Sequence, residues 1–279
     1  MGRLDRNVAL VTGAARGQGR CHAVELAREG ADIIAVDIAH DLPELGLPYR
    51  LGSADELAVT AAEVRKLGRR IVSVECDVRD LAPLGAAVDV AVSELGRLDI
   101  VAANAGIGAR PMRAQDIGES VWDQQIGVNL TGVWKTCRVA IPHLIGGGRG
   151  GAIVLTSSMA GLRGYQSMAA YTAAKHGVVG LMRVLAAELA EHSIRVNSLH
   201  PTQVDTPMLM NDSVFAAFRP DLEHPTQDEF AVASQSMHAL PLPWVEPIDV
   251  SNALLFLVSD AARYITGVSL PIDAGLLIK

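Results

Sequence analysis

Val8-Ala9-Leu10-Val11-Thr12-Gly13-Ala14-Ala15-Arg16-Gly17-Gln18-Gly19 is the stretch whose reading decides the fold. A short apolar run passes directly into glycines spaced G-x-x-x-G-x-G. Cys21, Val24, Leu26 and Ala27 then make a mostly apolar helical stretch that stops at Gly30. Strand, glycine-rich turn and helix, in that order, form the context in which a backbone closes on a pyrophosphate. The glycines let the main chain approach the ligand, and the helix N-terminus meets its charge with free N–H groups. The spacing is not G-x-G-x-x-G, and a plain glycine turn between strand and helix would satisfy the same pattern.

Working outward, Ile33 to Val36 reads as a second strand ending in Asp37, eighteen residues after Gly19. A carboxylate there can accept hydrogen bonds from an adenosine ribose and repel a 2′-phosphate. Arg16 in the glycine loop pulls the other way, but no Arg or Lys directly follows Asp37, which favours NAD over NADP. The plainer reading of Asp37 is a solvated strand end. Residues 38–52 are a Pro- and Gly-containing loop carrying Tyr49. Ser53-x-x-Glu56 then reads as a capping box for a helix bearing Leu57, Ala61, Val64 and Leu67, stopped by Gly68. Ile71 to Val74 is a third strand leading to Asp77-Val78, an edge for an adenine ring that is also compatible with a cap on the helix from Leu81 to Leu95. Ile100 to Ala103 is a fourth strand, and Asn104-Ala105-Gly106 follows with side chains small enough for backbone to run close to a ligand. Val121 to Leu144 reads as one long helix despite Gly127, Asn129, Gly132 and Pro142. Asn129 inside it is either a satisfied core polar group or a functional distortion.

Ala152 to Thr156 is a fifth strand that delivers Ser157-Ser158. Tyr171 lies thirteen positions after Ser158, and Lys175 four further on. In a helix running from Tyr171 to Glu191, residues four apart share a face, so phenol and ammonium project to one side. A neighbouring ammonium favours the phenolate and draws the phenol toward the range of a general base. Val178, Val179, Leu181, Met182, Leu185 and Leu189 give this helix a wide apolar face. Arg195 to Leu199 is a sixth strand. Residues 201–246, with six prolines, read as irregular chain, and a long aperiodic segment inside a domain suits a lid. Asp249 to Val258 is a helix and Val268 to Ile272 a last strand. Strands alternate with helices from end to end, which predicts an α/β fold with a parallel sheet covered on both faces. With no repeat or domain break, residues 1–279 read as a single domain.

Of the 279 residues, 49% are hydrophobic and 20% charged, ample for a core. A net charge of -7 with no basic run argues against a nucleic-acid surface. Cys21, Cys76 and Cys137 form no C-x-x-C and cannot all pair, which suits a reducing cytoplasm. No apolar stretch reaches the roughly 18 residues of a membrane span, and no metal-ligand spacing stands out.

Tyr-x-x-x-Lys alone occurs by chance in many proteins. The ordered set Thr12-Gly13-x-x-x-Gly17-x-Gly19, Asp37, Asp77, Asn104-Ala105-Gly106, Asn129, Ser158, Tyr171 and Lys175 is far more specific. Over nearly its whole length the chain resembles the short-chain dehydrogenase/reductase family in its compact form. The resemblance implies a Rossmann-type, doubly wound, seven-stranded parallel sheet with a nicotinamide cofactor across the strand C-termini. It implies Tyr171 as the acid/base, Lys175 lowering its pKa and binding the nicotinamide ribose, Ser158 holding the substrate oxygen, and Asn129 kinking its helix and holding a relay water. It places Gly13, Arg16, Gly17, Gln18, Gly19, Asp37, Ile38, Asp77, Val78, Asn104, Ala105, Gly106, Tyr171, Lys175, Val204 and Thr206 on NAD. A homotetramer is implied as well, with the Tyr171 helix and the C-terminal strand as contacts.

Two departures point to one branch of the family. His200-Pro201-Thr202 stands where Pro-Gly is usual, and residues 38–52 are an insertion beside the adenosine end. Both features, with Leu240-Pro241-Leu242-Pro243-Trp244 and Tyr264-Ile265-Thr266-Gly267, resemble the carveol dehydrogenase and mycofactocin-associated branch. There the insertion covers the NAD, which is reoxidised by an external carrier. Met208, Met210, Phe215, Phe218 and Met237 in the lid would suit an apolar secondary alcohol or ketone of terpenoid or other alicyclic type, or simply bury the lid on the body. Other readings are a non-catalytic nucleotide-binding scaffold, an epimerase using its cofactor transiently, and a 3-oxoacyl- or steroid-type reductase with exchangeable cofactor. An epimerase usually needs a larger C-terminal substrate domain than this chain offers.

Overall fold

Val8–Thr12 (β1) is buried at every position, and its side chains part by alternation: Val8 and Leu10 go to one face of the sheet, Ala9 and Val11 to the other. The computed structural model describes residues 2–279. The other strands are Asp32–Asp37 (β2), Ile71–Glu75 (β3), Ile100–Ala103 (β4), Gly151–Thr156 (β5), Ile194–Pro201 (β6) and Ser269–Ile272 (β7). All neighbours pair in parallel, in the order β3-β2-β1-β4-β5-β6-β7. The chain therefore winds outward from β1 to β3, then crosses back to β4 and winds the other way.

Crossover helices cover both faces, as parallel pairing demands. Gly17–Arg28 (α1), Ala54–Lys66 (α2) and Pro247–Val258 (α9) bury Ala23, Leu26, Leu57, Val64, Leu254 and Leu257 on one side. Leu81–Leu95 (α3), Val133–Gly147 (α5) and Ala169–Glu188 (α6) bury Leu84, Val88, Cys137, Val178 and Met182 on the other. The apolar face of α6 thus finds its partner within the chain. Ser53 and Glu56 form the expected capping box on α2. The cap of α3 is Asp80 rather than Asp77.

The expected long helix is three pieces in sequence. Glu119–Ile126 (α4) passes into a π-helical stretch, Gly127–Gly132, before α5 begins. Gly132 lies where an added Cβ would come within 2.7 Å of Val78 Cγ2, so the widened turn packs tightly on the loop after β3. β6 runs two residues beyond the expected Leu199, because His200 and Pro201 pair with Pro271 and Ile272 of β7.

The segment 201–246 is not irregular. It contains Asp212–Phe218 (α7), capped by Asn211, and Gln227–Met237 (α8), capped by a Thr226/Glu229 box. Phe230 is fully buried at its centre, stacked against Phe215 and Trp244 at 4.9 and 5.9 Å and meeting Phe218 edge-on at 4.9 Å. Among the described residues no helix is long and apolar enough to cross a membrane. Replacing Phe230 by Ala removes packing worth about 3–5 kcal/mol. In limited chymotrypsinolysis of F230A, the bond after Phe218 at the end of α7 should become the first cleavage site. An unchanged cleavage order would show that other contacts hold the lid.

Candidate active site

β1 and β4 are adjacent, yet their following segments leave in opposite directions, which opens a crevice at the C-terminal edge of the sheet. A cleft of about 890 Å³ occupies that place. The residues expected from the sequence as catalytic or cofactor-binding all line it: Gly13, Arg16, Gly17, Gln18, Gly19, Asp37, Ile38, Asp77, Val78, Asn104, Ala105, Gly106, Asn129, Ser158, Tyr171, Lys175, Val204 and Thr206.

The glycine loop has the form of a cradle. Gly13 and Gly17 adopt φ values of 70° and 54°, and a Cβ on Gly19 would stand 1.9 Å from the Gly13 carbonyl oxygen. Thr12 Oγ1 accepts from the amides of Asn104 and Ala105 at 3.0 and 3.1 Å, pinning the turn after β4 to the end of β1. Gln18 Oε1 is buried without a protein partner, an acceptor left for a ligand.

Asp37 is buried rather than solvated. Its oxygens accept from Ala15 N at 2.9 Å and Ala39 N at 3.0 Å, while burial still pushes its carboxyl up. Arg16 does not stand free for a 2′-phosphate, because it donates to the Arg50 carbonyl and lies 3.9 Å from Glu56. Asp77 accepts from Arg79 Nε and Nη2 at 2.8 and 2.6 Å, and from Arg79 N at 2.8 Å.

The insertion does more than flank the adenosine end. Residues 38–52 carry a short 3₁₀ turn, Pro43–Leu45, and Leu45 packs with Val78, Ile107 and Val128. At its far end Tyr49 Oη accepts from Gly108 N at 2.8 Å, so the segment crosses the cleft and fastens to the loop after β4. Burial, with Tyr171 nearby, pushes the Tyr49 phenol up to about 12.

Ser158, Tyr171 and Lys175 meet at the end of β5. Lys175 Nζ donates to Thr156 O at 2.9 Å and lies 5.6 Å from the centre of the Tyr171 ring. Burial brings the Lys175 ammonium down to about 8. It pushes the Tyr171 phenol up, against a lowering hydrogen bond with Ser158. Burial thus works against the lowered phenol expected from the sequence, with the Lys175 ammonium 5.6 Å from the ring centre. Ser157 points away, donating to the Lys175 carbonyl at 2.9 Å. Asn129 is both alternatives at once, a π-turn residue and a satisfied polar group. Its amide bonds Ile107 N and O at 2.9 Å each, and Gln125 Oε1 at 2.9 Å.

Met208, Phe218 and Met237 of the lid face the cleft, whereas Phe215 is spent on the aromatic stack and Met210 is absent from the lining. Val204 bridges to Val245, which seats the start of the lid on the chain before α9. Sequence reading missed Arg79, Tyr165 and Leu276 as cleft residues and gave Tyr49 no role. Tyr49 stood out only as the lone aromatic of a leucine-rich insertion, with no local sign of its partner. Leu276 had no signal, because only tertiary folding returns the C-terminal segment to the lid. Among the described residues no cluster of three or more His, Cys, Asp or Glu is placed to hold a metal.

The residue pattern characteristic of short chain dehydrogenases matches residues 7–215, and the chain belongs to that family of oxidoreductases. It is 60% identical over 279 residues to a (-)-trans-carveol dehydrogenase of Rhodococcus erythropolis, covering all of both chains. The crystal structure of a carveol dehydrogenase from Mycobacterium avium in complex with NAD superposes with a TM-score of 0.98 at 55% identity, covering 100% of each chain. A short chain dehydrogenase from Mycobacterium paratuberculosis bound to NAD gives 0.91 at 44% identity, again over 100% of each chain. In Gly19→Ala the new methyl collides with the Gly13 carbonyl. Dinucleotide affinity measured by calorimetry should fall about tenfold or more, equivalent to about 1.4 kcal/mol at least. Undiminished affinity would show that the loop opens without cost.

Proposed function

We propose that this protein is an NAD-dependent dehydrogenase that interconverts an apolar alicyclic secondary alcohol, of the carveol or a related terpenoid type, and its ketone. The observation that carries the reading is the meeting of Ser158, Tyr171 and Lys175 at the base of a cleft whose lid wall is Met208, Phe218 and Met237. The names of the similar proteins support the same substrate class and cofactor.

The dinucleotide fits the residues present: the glycine cradle excludes side chains, Gln18 Oε1 lacks a partner, and buried Asp37 faces the cleft. Asp37, together with an Arg16 already engaged by Arg50 and Glu56, favours NAD over NADP. Gly13 through Gly19 would hold the pyrophosphate, Ile38, Asp77 and Val78 the adenine end, and Asn104 to Gly106 with Val204 and Thr206 the nicotinamide end. Bound there, NAD supplies the hydride acceptor or donor. Ser158 holds the substrate oxygen by a hydrogen bond, and Tyr171 takes or returns the hydroxyl proton. Lys175, cationic below about pH 8, would contact the ribose and, as the neighbouring cation, favour the phenolate against the desolvation that opposes it. Both N–H donors of the Asn129 amide are spent, so a relay water there rests on an Asn129 carbonyl. Four such groups at one point have no purpose in a scaffold.

The strap from 38 to 52 favours a retained cofactor over an exchangeable one. Leu45 and Tyr49 fasten it across the cleft, which supports NAD held through many turnovers and reoxidised by an external carrier such as mycofactocin. Exposed Trp122, Trp134 and Val184 beside the α4–α6 face, and Phe256 and Val268 at the β7 edge, suit the faces of a homotetramer, working in the cytoplasm.

Two measurements test the reading. Tyr171→Phe should lower kcat at least about a thousandfold, with NAD binding nearly intact by calorimetry. Residual turnover within tenfold of the parent would remove Tyr171 from its role. Protein purified without nucleotide should release NAD on denaturation and oxidise alicyclic alcohols only with an electron-accepting dye, while Tyr49→Phe should lose NAD faster on dialysis. Steady NADH production without dye would mean an ordinary exchanging dehydrogenase.

A further inference from the structure

We propose that His200 is a positioning residue for the reaction: its imidazole, wedged between Ser198 and the main-chain carbonyl of Ser158, fixes the peptide from which the Ser158 hydroxyl projects. The inference rests on the role given above to Ser158 and concerns a residue that touches neither substrate nor cofactor in that scheme.

The geometry begins where the sheet ends. Main-chain pairing between β5 and β6 runs as far as Thr156 opposite Leu199, and the amide of Ser157 still donates to the Leu199 carbonyl at 2.9 Å. Beyond that point β5 leaves the sheet. Ser158 is fully extended, at φ -169° and ψ 168°, before the short turn Met159–Gly161. The next tie between the strands is made by a side chain: His200 Nδ1 lies 2.8 Å from Ser158 O. On the other side of the ring, Nε2 lies 2.8 Å from Ser198 Oγ. His200 is 0% exposed.

The chemistry of the partners fixes the protons. A carbonyl oxygen only accepts, so Nδ1 carries the hydrogen. In the neutral ring Nε2 is then the acceptor and Ser198 the donor. Burial draws the pKa of the ring down to about 4, with the Lys175 ammonium acting in the same direction and the hydrogen bond to the Ser158 carbonyl opposing it, so the ring is neutral. One tautomer therefore persists across the working range, and the tie does not switch. Ser158 is held at two atoms: its carbonyl by His200 and by Gly161 N at 2.9 Å, and its Oγ by Ala160 N at 3.1 Å. Remove the ring and the peptide can rotate, carrying Oγ off the line to the substrate oxygen.

His200→Leu keeps the volume and loses the donor. Its kcat on the alcohol best used by the parent should fall about 10- to 100-fold, the scale expected when a reacting group is displaced by about 1 Å. NAD affinity should not change. His200→Asn, whose amide can donate to the same carbonyl, should recover most of the loss. The decisive comparison is a double-mutant cycle: with Ser158 already replaced by Ala, His200→Leu should cost kcat nothing further. Equal losses in both backgrounds, or an undiminished kcat in folded His200→Leu, would overturn the proposal. A readout free of any substrate accompanies it. ¹⁵N spectra of the histidine-labelled holoenzyme should show a ring protonated at Nδ1 that His200→Leu abolishes. A proton on Nε2 instead would overturn the proposal even if no alcohol tried were turned over, a failure that would count against the substrate reading alone.

Discussion

The hydrogen bond from the Lys175 ammonium to the Thr156 carbonyl, 2.9 Å long and buried, joins helix α6 to the end of strand β5. Everything chemical in this molecule is arranged from that joint. It sets the level at which α6 stands against the sheet, and with it the height of Tyr171 one turn earlier. The Ser157 hydroxyl closes the same joint from the strand side by donating to the Lys175 carbonyl. A buried amine with so few partners is costly in stability, and the drop in its pKa to about 8 records that cost. Such tension is common where a charge must be available to a ligand rather than spent on the protein.

The parallel sheet explains why the joint lies where it does. Helices cover both faces, and the turns that leave the strand C-termini, after β1, β4, β5 and β6, all open along one edge. The glycine cradle, the Asn104 turn, Ser158 and the start of the lid come from these turns. The π-helical stretch around Asn129 belongs to the same logic. Its extra residue per turn lets the Asn129 amide reach the Ile107 backbone, which braces the β4 turn from behind.

The alternation of strands and helices and the glycine turn were legible because they rest on local signals, apolar runs and glycines, whereas the doubly wound seven-stranded sheet and most of the cofactor-binding residues were implied by the family resemblance. Gly19 and Lys175 could be placed from sequence alone. What was hidden depends on contacts distant in the chain. Tyr49 meets Gly108 across 59 residues, and nothing near Tyr49 announces the meeting. The direction of the Tyr171 shift was misread for the same reason, since burial is a sum over the whole fold and spacing reports only the neighbour. The lid helices were a different failure. Asn211 and Thr226-x-x-Glu229 are ordinary helix starts, obscured by the prolines around them.

On the proposed reading, the strap changes what kind of catalyst this fold makes. A dehydrogenase with a freely exchanging dinucleotide is governed by the cellular ratio of oxidised to reduced nucleotide. A chain that kept its nucleotide under Leu45 and Tyr49, as proposed, would be insulated from that ratio, and its two half-reactions would follow one another in a single site. Its direction would then be set by the midpoint potential of the carrier that visited it. The nucleotide would cease to be a co-substrate and become a prosthetic group, with the enzyme's own abundance as its pool.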